Sequence, residues 1–354
     1  MKRCWRFAWL LCCLIGSAQA AVVQDLYEAS IAIDSQRNSA QQQAQREAMR
    51  QVLVKVRGNR DVLQSPAVTG KLSQAEDFLR QYRFETIDGQ LHFHAIFDQQ
   101  KVDELLRSAG FPIWGSRRPS TLLWFATENP EDQQRSLLYE QRPNDYSLLI
   151  QKAAKQRGIR INYPLLELDT FNNVGIYDVW GRFVDVLQQA SEKYQVEAII
   201  VARLYQMMPE KEEIQPQWQL DWNFALGQDR EMGSLNGDSR EQLLTQMVEL
   251  QADLLASRFV IGGQGAADVQ VVFLQFNNLE DIKTYVEVDR LLTSLSVVSS
   301  VTLKTLQGTQ GIFEVRLMGS EQDLLNAISL ERHIQRYLDP FGQPVSELQF
   351  IWAP

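Results

Sequence analysis

Apolar and polar positions recur along this chain with two periods, and the changes of period mark out three blocks. In the first block Val22 to Ile33 reads as a strand. Ala40, Ala44, Ala48, Val52 and Val56 then recur every fourth residue, the spacing of one helical face, with Gly58 placed to end the helix. Three alanines on that face let the helix sit close against a sheet. A second helix is expected over Ala67 to Gln81. Asp88-Gly89 between two strand-like runs is a hairpin signal. Asp98 is then placed to cap a helix that stops at Gly110.

Gly115-Ser116-Arg117-Arg118-Pro119-Ser120 is polar and rich in breakers, which predicts a linker. Beyond it, Thr121 to Ala126, Ile159 to Tyr163 and Val196 to Leu204 read as buried strands. Helices over Tyr146 to Arg157 and along Val179, Phe183, Val186 and Ala190 alternate with them, the pattern of a partly parallel sheet. Trp218 to Leu226 adds an antiparallel edge, and Asp238 with Glu241 makes a capping-box pattern for a long helix. After a second linker at Gly262-Gly263-Gln264-Gly265, the last block reads strand, helix, strand, strand, helix, strand, the ferredoxin-like order.

The expected fold is therefore α+β and α/β in three modules. They are a small β-α-α-β-β-α domain (21–118), a mixed α/β sheet domain (119–264) and a C-terminal ferredoxin-like βαββαβ domain (265–354). Residues 1–20 carry a different signal: Lys2, Arg3 and Arg6, an apolar stretch from Phe7 to Ile15, and the exit Ser17-Ala18-Gln19-Ala20. This is the pattern of a secretory signal peptide cleaved after Ala20. The apolar stretch is about half the roughly 20 residues that a membrane span needs, so no span is expected in the mature chain, which is placed in the periplasm.

Composition narrows the function. The chain is 45% hydrophobic and 22% charged, with a formal net charge of −9, as in ordinary globular protein. The signal holds three of the 35 basic residues and none of the 44 acidic ones, so the mature part is more acidic still. Such a surface repels phosphate backbones and excludes general nucleic-acid binding. All three cysteines (Cys4, Cys12, Cys13) lie in the signal, which removes disulfides, thiol nucleophiles and thiolate metal sites together.

Few residues invite chemistry. His92 and His94 share one face of a strand and could ligate a metal. Leu91, Phe93, Ala95 and Phe97 occupy the opposite register, however, which makes the histidines the wet side of a hairpin. The only other histidine, His333, lies in the last block. Glu167, Asp169 and Asp178, with Trp180 beside them, could form a binding cleft at strand ends. Helix capping and loop solvation account for the same carboxylates, with Asp178 at the start of a helix. No phosphate loop, nucleophile elbow or His-Glu-x-x-His is present, and no cofactor is expected.

Three stretches carry a family likeness: Gln41 to Asn59, ending in Val52-Leu53-Val54-Lys55-Val56-Arg57-Gly58-Asn59; Arg157-Gly158-Ile159 through Pro164-Leu165-Leu166 to Asp178-Val179-Trp180-Gly181; and Ala190-Ser191 followed by Tyr194. Together they resemble an uncharacterised exported proteobacterial family, domain of unknown function 2066, over nearly the whole mature chain. In architecture, the first block is similar to the N-terminal module of a periplasmic flagellar assembly protein. The middle block is similar to α/β domains of envelope assembly factors such as the TolB N-terminal and CsgG-like groups. The resemblance implies an envelope location and a non-catalytic accessory or assembly role through binding envelope proteins. The rival expectation is a periplasmic hydrolase or ligand-binding protein using the carboxylate cleft.

Overall fold

A computed structural model gives the fold of residues 23–167, 174–207, 217–260 and 270–353. Residues 1–20, where the signal peptide is expected, Asp169 and Gly262–Gly265 lie outside these described residues.

Helix α1 (Asn38–Arg57) buries the alanine stripe, with Ala44, Ala48, Val52 and Val56 turned inward. The short side chains bring its backbone close to a three-stranded antiparallel sheet of order β1-β3-β2, formed by β1 (Glu28–Ala32), β2 (Leu79–Ile87) and β3 (Gln90–Phe97). Each buried valine contributes about 1.5–3 kcal/mol. Gly58 ends α1 in the left-handed conformation, its N–H donating to the Val54 carbonyl at 2.7 Å. The helix expected over 67–81 is a correction. It breaks into α2 (Pro66–Thr69) and a 3-10 segment (Leu72–Phe78) whose Gln74 leaves helical dihedrals, and β2 begins at Leu79 because Leu79 pairs with Phe97. Helix α3 (Gln99–Ser108) is capped by Asp98, which accepts from Lys101 N.

The middle block is a six-stranded mixed sheet of order β5-β4-β7-β8-β9, with β6 also paired to β4. The strands are β4 (Ser120–Glu128), β5 (Arg135–Leu137), β6 (Arg160–Asn162), β7 (Ala198–Met207), β8 (Gln217–Leu226) and β9 (Asp229–Gly237). Both β6 and β7 run parallel to β4, and the other pairs are antiparallel. On one face, α4 (Asp145–Arg157) and α7 (Arg240–Phe259) cover Leu123, Phe125, Ile200 and Leu220. On the other, α5 (Ile176–Trp180) and α6 (Val184–Ser191) cover Leu122, Trp124 and Val201. β4 is covered on both faces, which explains its unbroken apolar run.

Two local expectations change here. The helix traced along Val179, Phe183, Val186 and Ala190 is interrupted at Arg182, whose φ is 55°. The turn rotates the second half away from the core, leaving Phe183 54% and Val186 45% exposed. The cap of α7 is Ser239 rather than Asp238, its Oγ accepting from Gln242 N at 3.3 Å.

The last block has β10 (Gln270–Asn277), α8 (Ile282–Ser294), β11 (Val298–Gln307), β12 (Gln310–Leu317), α9 (Glu321–Ser329), β13 (Ile334–Arg336) and β14 (Gln349–Trp352), with sheet order β11-β12-β10-β14-β13. The ferredoxin-like arrangement is present with one extra edge strand, β13. Because the chain turns back from β13, β14 pairs parallel to β10. Phe276, Phe313 and Phe350 are buried in the core under the helices, while Val271 and Phe273 face outward, Phe273 being 53% exposed.

Candidate functional site

The histidines stand on the face of β3 opposite buried Phe93, Ala95 and Phe97. His94 Nε2 lies 3.1 Å from Glu28 Oε2 and its Nδ1 3.5 Å from Glu85 Oε1, while His92 Nδ1 is 3.2 Å from Ser30 Oγ. Among the described residues no group of three or more His, Cys, Asp or Glu side chains is arranged to hold a metal ion.

Glu167 and Asp178 have separate partners. Lys193 Nζ donates to Glu167 Oε2 at 3.1 Å, and Asp178 Oδ2 accepts from Gly175 N at 2.8 Å, capping α5. Trp180 lies among cations instead, with the Arg135 guanidinium 4.0 Å and that of Arg203 5.5 Å from its ring. Arg203 is held by Asp221, a buried carboxylate. Burial alone would raise the Asp221 pKa, but hydrogen bonds from Gln219, Ser234 and Arg203 together hold it below the usual range. Of the residues singled out in the sequence, Trp180 joins an arginine network, Glu167 and Asp178 make separate local contacts, and Asp169 is outside the described residues.

Topology points to a different place. The chain leaves β4 for α4 and β6 on one side, then crosses to β7 on the other, with the intervening helices on opposite faces. The carboxyl ends of β4 and β7 therefore form a topological switch point, where open α/β sheets take ligands. A crevice of about 530 Å³ lies there, lined by Asn129, Glu131, Gln206, Trp218, Asp238 and Arg240. Arg240 stacks 5.1 Å from Trp218 and 5.6 Å from Tyr146, and its Nη1 donates to Tyr146 Oη at 3.0 Å. Ser239 Oγ donates to Glu241 Oε2 at 2.7 Å, which holds the Glu241 carboxyl below its usual pKa. One stacked cation among carboxylates can orient a polar ligand.

Residues that no candidate chemistry singled out in the sequence form a deeply buried polar cluster among the described residues. Arg118, read as linker, is 2% exposed and stacks on Trp114 at 3.9 Å. All its bonds go to backbone carbonyls: Nε to Gly115; Nη1 to Arg157 and Gly158; Nη2 to Lys55 and Trp114. The Lys55, Arg157 and Gly158 carbonyls end α1 and α4, whose C-terminal dipoles supply negative partial charge to the guanidinium. Burial pulls the guanidinium down to about 9, so it stays cationic at neutral pH. Arg157 completes the joint, donating to Gly58 O at 2.7 Å and Asp253 Oδ1 at 2.6 Å and pairing with Glu249, which also holds Arg60.

Lys55 is the third buried cation. Its Nζ donates to Glu28 O at 2.8 Å and Asp25 O at 3.3 Å, and burial lowers its pKa from 10.5 to about 8. Between those values the unfolded chain binds more protons than the folded one, so stability rises with pH. Urea midpoints are expected to climb between pH 8 and pH 10, and to climb less in Lys55→Met. The two proteins are expected to diverge over that window by on the order of 1–3 kcal/mol. Parallel slopes in the two proteins would contradict the assignment.

Comparison with known families divides the chain differently from the resemblance read in the sequence. Residues 20–115 match a family model described as Domain of unknown function (DUF8605), which takes in the Gln41–Asn59 stretch. The stretches around Arg157–Gly181 and Ala190–Tyr194 lie outside both matched regions. No curated protein matches the chain. The likeness to domain of unknown function 2066 is therefore confined to the last block: residues 270–340, from β10 through α9 and β13, match the DUF2066 family model, and there the chain is similar to that family.

Proposed function

We propose that this chain is an exported, non-catalytic accessory protein of the cell envelope that acts in the periplasm by binding other proteins. The observation that carries the reading is the joint around Arg118. It ties the first two sheets through buried hydrogen bonds rather than a free linker, so their exposed edges keep a fixed relation, as a scaffold requires. The separate local roles of Glu167 and Asp178 support it further. Export rests on the secretory pattern of residues 1–20.

Crosslinking in intact cells followed by mass spectrometry tests the reading: a reproducible envelope partner is expected, and repeated recovery of none would overturn it. N-terminal sequencing of the protein released by osmotic shock is expected to start at Ala21. A second reading, a ligand-binding protein, is favoured by the crevice beyond β4 and β7, with Glu131, Asp238 and Arg240 in place of the carboxylates first considered.

A further inference from the structure

Among the described residues, three long strands end a sheet without a partner on one side: β2, β11 and β9. A bare edge presents unpaired N–H and C=O groups, and proteins commonly blunt it with bulges, lysine or proline. The β11 edge is blunted twice, by register shifts between Val298 and Ser300 and between Leu303 and Thr305, and it carries Lys304. The β2 edge has a shift between Leu79 and Gln81. In contrast, β9 pairs with β8 in unbroken register from Leu226↔Asp229 to Trp218↔Gly237, and it contains no lysine or proline. Its residues from Asp229 to Met232 are all exposed. Among the described residues, none of β9's backbone groups bonds beyond the β8 ladder.

Beside the charged Asp229, Arg230 and Glu231, this edge carries an exposed apolar patch. Met232 is 72% exposed and sits opposite Asn223 on β8. Arg182 Nη1 donates to Asn223 Oδ1 at 2.9 Å, and Arg230 pairs with Asp185 at 3.3 Å. These two contacts bring the turn after α5, with exposed Phe183, and the first turn of α6, with exposed Val186, beside β9. The geometry points to β9 as a strand-addition site: an extended segment of another protein pairs with Asp229–Gly237 and lays alternate apolar side chains against Met232 and Phe183. An extended backbone is the chemistry that matches free N–H and C=O groups in a straight row. A second copy of this chain is the disfavoured occupant, because two chains of net charge −9 repel.

This inference rests on the protein-binding reading and is tested apart from it. A photo-crosslinking amino acid is placed in the full chain at Met232, at Phe273 on the open C-terminal sheet face, and at Thr302 on β11, and crosslinking is run in intact cells. Adducts to a different protein at position 232 are expected. Proline is then introduced as Glu231→Pro and, separately, Asn236→Pro. Successive strand residues point their N–H groups to opposite sides, so one of these two positions faces away from β8. The variant that keeps the wild-type melting temperature is the one that removes an edge donor. In it the adduct at 232 is expected to fall about tenfold with the protein level unchanged. Met232→Asp, read with the crosslinker at Glu231, tests the flank without touching the backbone and is expected to lower the adduct likewise. Partner adducts at 273 or 302 but not at 232 overturn the strand-addition site and leave the binding reading standing. Adducts of the chain to itself at 232 replace the partner with a second copy and overturn the inference. No adduct at any position overturns both.

Discussion

Arg118→Met is expected to destabilise the protein by about 3–5 kcal/mol, the cost of several buried carbonyls left without donors, and to uncouple the unfolding of the first block from the second. Methionine fills most of the space beside Trp114 and removes the buried charge, so lost volume contributes little. What remains is the carbonyls of Lys55, Trp114, Gly115, Arg157 and Gly158 without their donors. Leaving a buried polar group unpaired costs about 1–3 kcal/mol, and some of the five will recover water as the joint loosens. Arg118→Lys is expected to recover little, because a single ammonium cannot reach carbonyls on both helix ends at once. Urea unfolding read by tryptophan fluorescence weights the middle block, which holds Trp124, Trp180, Trp218 and Trp222 beside Trp114 of the joint, and far-ultraviolet circular dichroism reports the whole. Wild type should give coincident curves and Arg118→Met separated ones. A variant with the wild-type midpoint would mean that the guanidinium is not what holds the two blocks together.

The second large effect is expected at Gly58, and Gly89 is its internal control. Both have positive φ, 82° and 80°, so alanine at either should cost about 1–2 kcal/mol of backbone strain. A Cβ at Gly89 would meet nothing within 4 Å, whereas one at Gly58 would stand 2.6 Å from Ala256 Cβ and 2.8 Å from Trp114 Cε3. Room for it requires α1 and α7 to part, disturbing Arg157 where it donates to Gly58 O. Overpacking of this kind adds about 1–3 kcal/mol, for a total of about 2–5 kcal/mol at Gly58. Thermal melts of Gly58→Ala and Gly89→Ala compare the two directly. Equal losses would show that the approach of α1 to α7 is soft.

Much of the fold was legible because it is written in neighbours. The alanine stripe of α1, the Asp88-Gly89 hairpin and the Asp98 cap each rest on residues within a turn or a strand of one another. The candidate site was not legible in the same way. The crevice beyond β4 and β7 exists because β6 and β7 flank β4 from opposite sides, a fact of strand order with no local signature. Phe183 and Val186 fitted a helical face, and one left-handed residue, Arg182, turned them outward.

By itself the sequence determined the class of fold, the ferredoxin-like order of the last block, the acidic charge and the lack of cysteine chemistry beyond residue 20. Those depend on composition and on short-range periodicity, which survive any arrangement of the blocks. The tertiary structure alone decided that the Gly115–Ser120 segment is a joint and not a tether. Arg118 reads as a solvated linker cation until carbonyls 39, 40 and 63 residues away converge on it. Only folding brings two helix ends to one guanidinium, and that convergence buries an arginine within a polar segment.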